Sequence, residues 1–118
     1  MLAAPQKLGP RARSALRDVE TGRCQPWVPA AVVAELILLR ELGRTSIGLP
    51  ELRRAMTDVP AFRLLPLDLA QLDEFAGLSR FRDPFDRLIV SAARMLRATL
   101  VTRDAAIAAS GVTDTVWS

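Results

Sequence analysis

The sequence has 118 residues, half of them hydrophobic and a quarter charged, which fits one soluble globular domain with its own core. It has no histidine, no tyrosine and a single cysteine, so a Ser–His–Asp triad, a His-ligated zinc site, a haem histidine and an intrachain disulfide are excluded. Sixteen basic residues against thirteen acidic ones leave a net charge of +3, and any chemistry falls to carboxylates, hydroxyls and arginines.

The predicted elements alternate helices with short apolar runs. Residues 9–22 read as a helix opened by Gly9-Pro10 and ended at Gly22, with Ala12, Leu16 and Val19 on one stripe. Pro26-Trp27-Val28-Pro29 is a short strand candidate despite its prolines. A strongly apolar helix runs from about Ala30 to Leu42 and stops at Gly43, and Leu49 to Thr57 gives another with Pro50 in its first turn. Phe62 to Leu67 reads as a strand, and Leu69 to Leu78 as a helix capped by Asp68. Pro84 to Arg97 is the longest predicted helix. Ala98 to Thr102 has the β-rich apolar character of a buried strand. Asp104 to Ala109 is a short helix and Thr113 to Trp117 a last strand. Strands separated by helices predict an α/β sandwich with a parallel sheet, whose sites form beyond the carboxyl ends of the strands.

Three acidic positions bear on chemistry. Glu35 is the only charge within Ala30-Ala31-Val32-Val33-Ala34-Glu35-Leu36-Ile37-Leu38-Leu39, and no base lies three or four positions away. An unpaired buried carboxylate costs several kcal/mol by order of magnitude. Glu35 therefore fits a solvent edge, a pair with an Arg from elsewhere in the fold, or a metal-facing position. Asp83-Pro84-Phe85-Asp86 is a helix start, with Asp83 as N-cap and Asp86 three residues on. Asp104 follows the Thr99-Leu100-Val101-Thr102-Arg103 run and also fits an N-cap. Convergence of these acids at one end of a sheet would raise their pKa values unless a cation held them ionised. Without His or Cys clusters, the expected ions are Mg²⁺ or Mn²⁺.

Fifteen of the sixteen bases are Arg and only Lys7 is Lys. Arginine suits phosphate recognition, but a GC-rich genome explains most of that bias. No run reaches the ~18 apolar residues of a membrane span, and Met1 to Pro10 is too short in apolar residues for a signal peptide. With Cys24 alone, a reducing cytoplasm is the expected compartment.

The segment Arg82-Asp83-Pro84-Phe85-Asp86-Arg87-Leu88-Ile89-Val90-Ser91-Ala92-Ala93, followed by Thr99-Leu100-Val101-Thr102-Arg103-Asp104, resembles the PIN-domain family. In particular it is similar to VapC-like toxins of type II toxin–antitoxin pairs. Val28 to Arg44, with Glu35 followed by Gly43-Arg44, is similar to that branch's second acidic motif. Leu8 to Arg13 resembles the helix after the family's first strand, and Val116-Trp117 its terminal strand.

The resemblance implies a single PIN-like domain over residues 1–118, a three-layer α/β sandwich with a short, mainly parallel sheet. It implies an Mg²⁺- or Mn²⁺-dependent endoribonuclease silenced by an antitoxin. Glu35 carries over as the second acid, Asp86 as the third and Asp104 as the fourth; these are the implied catalytic and metal-holding residues. Asp83 carries over as a cap or a supporting group behind the ligands, and Arg87 and Arg103 are candidates for phosphate contact. The family opens with a central strand ending in Asp, whereas this sequence begins Met1-Leu2-Ala3-Ala4-Pro5. That departure predicts an N-terminally truncated domain, with a gap of roughly 10 Å between the neighbours of the missing strand. A weak or inactive ribonuclease, prone to homodimer formation, is the resulting expectation. Two other readings compete: a noncatalytic PIN-like protein that binds an antitoxin or partner helix, and a small DNA-binding protein.

Overall fold

A computed structural model describes residues 9–102 and 104–117. Helix α1 (Pro10–Glu20) starts with proline in its first turn, and its Ala12 N–H donates to the Trp117 carbonyl at 2.9 Å. Strand β1 (Trp27–Pro29) leads directly into α2 (Ala30–Glu41), for which Pro29 is the N-cap. Helix α3 (Leu49–Asp58) also carries proline in its first turn, and Glu51 Oε2 accepts the Gly48 N–H at 3.0 Å. Strand β2 (Arg63–Leu65) precedes α4 (Leu69–Ala76), where Asp68 Oδ1 accepts the Gln71 N–H at 2.9 Å as the expected cap. Helix α5 (Pro84–Leu96) is the longest, followed by β3 (Leu100–Val101), α6 (Ala105–Ser110) and β4 (Thr115–Val116). Gly111 ends α6 with a φ of 69°, in the left-handed region that glycine enters without a Cβ penalty.

Every predicted element is present, but the strands are shorter than the apolar runs that announced them. The pairing is parallel, and each paired strand is joined to its partner through helices, as a parallel pair requires a crossover. Val28 lies opposite Leu64 in the β1–β2 pair, and Leu100 opposite Thr115 in the β3–β4 pair. These pairs form two separate two-stranded sheets, and among the described residues no strand joins them. Prolines at both ends of the Pro26–Pro29 run remove N–H donors, which limits the ladder β1 can build.

A buried hydrophobic cluster lies against α5. Leu78, Val90, Ile107 and Val112 pack together there, with Phe81 and Leu100 against them. Helix α4 lies along α5, and α2 packs on both α5 and α3. Between α4 and α5 the buried Gln71 donates from Nε2 to the Leu88 carbonyl (2.9 Å) and to Ser91 Oγ (3.2 Å). Its Oε1 has no partner among the described residues. Leu78 is 3% exposed, so Leu78→Ala removes apolar contacts and leaves a cavity. The expected loss is about 2–5 kcal/mol in urea unfolding; a loss under about 1 kcal/mol would show that the cluster is not the core.

Candidate metal centre

Helix α5 begins on a carboxylate. Asp83 Oδ1 accepts the N–H groups of Phe85 (2.8 Å) and Asp86 (3.1 Å), which fixes the first turn, and Pro84 supplies a φ already suited to it. Three residues further on, Asp86 stands one turn along the same side of the helix. Because α2 packs against α5, the one acid within α2's apolar run also reaches this point. Glu35, Asp83 and Asp86 each offer a carboxylate oxygen, and these oxygens all lie within 4.8 Å of one another. Glu35 and Asp86 are half-buried and Asp83 is exposed.

This arrangement is electrostatically costly as it stands. Burial pushes the Glu35 carboxyl above its ordinary value, and the charges of Asp86 and Asp83 push it further. Burial does the same to Asp86, followed by repulsion from Asp83 and Asp104. Among the described residues no Arg lies within 4.0 Å of any of the three; the ion pairs there are Arg23–Asp18 and Arg94–Glu74. A remote Arg partner for Glu35, one of the three positions open to it from sequence, is therefore not found among those residues.

Asp104 sits outside the group of three, although it is near enough for its charge to act on Asp86. It caps α6, with Oδ1 accepting the N–H groups of Ala106 (2.9 Å) and Ile107 (3.1 Å). Its own N–H donates to Thr102 Oγ1 at 3.1 Å, which ties the cap to the end of β3. Arg87 turns from the acids toward α4: Nε donates to the Phe75 carbonyl at 2.9 Å and the guanidinium lies 4.0 Å from the Phe75 ring centre. That contact clamps α5 to α4 one residue after Asp86. Arg103 lies outside the described residues.

The structure thus brings Glu35 and Asp86 together, sets Asp104 close by, and adds Asp83, which sequence reasoning placed as a cap or a supporting group. The Asp83–Asp86 spacing was the available signal, since residues three apart share a helix face. All the donors are carboxylate oxygens, the set preferred by hard divalent cations such as Mg²⁺ and Mn²⁺. A cation among them would return the raised carboxyls to their ionised form. The donor set fits.

The PIN domain family model matches residues 6–111. No curated protein matches the chain. The family match takes in β1 to β3, α1 to α6 and all four acids, and the chain belongs to the PIN-domain family, a family of nucleases.

Proposed function

We propose that this chain is an Mg²⁺- or Mn²⁺-dependent endoribonuclease of the VapC-like toxin type. The observation that carries the reading is the meeting of Glu35, Asp83 and Asp86 without an arginine partner among the described residues. Glu35, Asp86 and Asp104 are the residues assigned to hold the cation. When bound there, such an ion activates water and offsets charge that develops at the scissile phosphate.

The chain's own contributions are positional. Helix α2 presents Glu35 half-buried, with apolar residues on either side of it in the chain. The Asp83 cap and the Arg87–Phe75 contact hold the backbone on either side of Asp86. Thr102 orients the cap that carries Asp104. Arg87 and Arg103 remain candidates for phosphate contact, and Arg87 has its Nε engaged with the Phe75 carbonyl on α4. Single-stranded or looped RNA is the favoured substrate, because side chains do not read the deep groove of an RNA duplex.

A second reading is a noncatalytic PIN-like protein that holds an antitoxin helix. Exposed leucines favour an apolar partner: Leu38 and Leu42 on or just after α2, and Leu69 and Leu72 on α4. The two readings share a cytoplasmic setting, and no helix of the described residues is long and apolar enough to cross a membrane. Mn²⁺ binding followed by cleavage of single-stranded RNA separates them. The nuclease reading expects Mn²⁺ binding and EDTA-sensitive cleavage of single-stranded RNA. A chain that binds no Mn²⁺, or that binds it and leaves single-stranded RNA intact, contradicts it.

A further inference from the structure

We propose that Asp83 does two jobs at once, capping α5 with one carboxylate oxygen and ligating the cation with the other, beside Glu35 and Asp86. This inference rests on the metal-dependent reading above and enlarges its ligand set. Both capping bonds end on Oδ1, which leaves Oδ2 free of them. A carboxylate oxygen of Asp83 already lies within 4.8 Å of its counterparts on Glu35 and Asp86.

A cap alone does not call for this residue. Asn and Ser cap a helix about as well as Asp, and neither adds a negative charge beside two other carboxylates. At this position Asp crowds the acids in the metal-free protein, and a shared cation turns that repulsion into attraction. The dual contact also links site and fold. Asp83 holds the Asp86 N–H, so a cation bound to both side chains tightens the first turn of α5.

Three readouts independent of cleavage test this: Mn²⁺ affinity by calorimetry, melting of the metal-free chain, and hydrogen exchange at the Phe85 and Asp86 amides. Asp83→Asn and Asp83→Ser keep a capping oxygen and remove the ligating charge. Both are expected to melt close to the wild type without metal, while Mn²⁺ binds at least about tenfold more weakly. Mn²⁺ is expected to slow exchange at the two amides in the wild type and to lose that effect in both variants. Wild-type Mn²⁺ affinity in Asp83→Asn and Asp83→Ser, with binding lost in Asp86→Asn, would make Asp83 a cap only and overturn the inference while the metal site stands. A wild type that binds no Mn²⁺ would overturn the metal reading itself, and this inference with it.

Discussion

Mn²⁺ at about one hundred times its dissociation constant is expected to stabilise the folded chain by about 2.7 kcal/mol. For a domain of this size that corresponds to a rise of about 10 °C in Tm. The reason is local: Glu35 and Asp86 are half-buried, crowded by other acids, and without an Arg partner among the described residues. Asp86→Asn preserves shape but removes a ligating charge, so affinity should fall by at least about 100-fold, beyond what loss of a group behind the ligands causes. The metal-free melting of that variant should match or exceed the wild type, because one repulsive charge is gone. Differential scanning calorimetry with and without EDTA reads both effects. Equal Mn²⁺ stabilisation of wild type and Asp86→Asn would show that the ion binds elsewhere.

Acidity is expected to act in opposite directions on the metal-free fold and on metal binding. Glu35 and Asp86 hold their protons more tightly when folded than when unfolded, chiefly through burial and then through neighbouring acids. Between the ordinary carboxylate range and their raised values, the native state therefore binds more protons than the unfolded one. The contribution of these two groups to stability falls as pH rises through that interval and is fully present below it. Mn²⁺ requires both groups ionised, so its affinity rises with pH over the same interval. Glu51 works in the contrary sense: its own backbone N–H and then that of Gly48 hold its carboxyl below the ordinary value. Its stabilisation is present above the ordinary carboxylate range and is lost as pH falls through the lowered value. Glu35→Gln isolates the site from that background. The variant should melt higher than wild type in EDTA above the interval, show a flatter stability profile through it, and no longer bind Mn²⁺. Urea unfolding across a pH series provides the profile. A Glu35→Gln chain that is less stable than wild type in EDTA above the interval would mean that Glu35 makes a favourable contact the electrostatic account omits.

Much of this site is legible from local chemistry. Asp68, Asp83 and Asp104 each precede a helical segment, and each accepts an amide of the following turn. Glu35 stands out because its neighbours along α2 are apolar. Asp83 is harder to assign: one carboxylate satisfies the cap reading completely, and only the approach of α2 to α5 shows that it also faces Glu35. Arg87 is legible as a charge but not as a clamp, since its partner Phe75 is twelve residues away on another helix. Gln71 is not legible as a buried bridge for a similar reason; its partners Leu88 and Ser91 reach it only through packing of α4 on α5. The predicted strands run longer than the observed ones because apolar residues mark burial as readily as pairing. Thr99, inside the predicted strand, lies outside β3, and prolines cut β1 short.

The most direct measurement is a crystal grown with Mn²⁺ and recorded for its anomalous signal. One strong peak per chain is expected within coordination distance of Glu35 and Asp86, between Asp83 on one side and Asp104 on the other. A peak held by other residues, or none at a Mn²⁺ concentration that saturates binding in solution, would contradict the assignment of these acids as the metal centre.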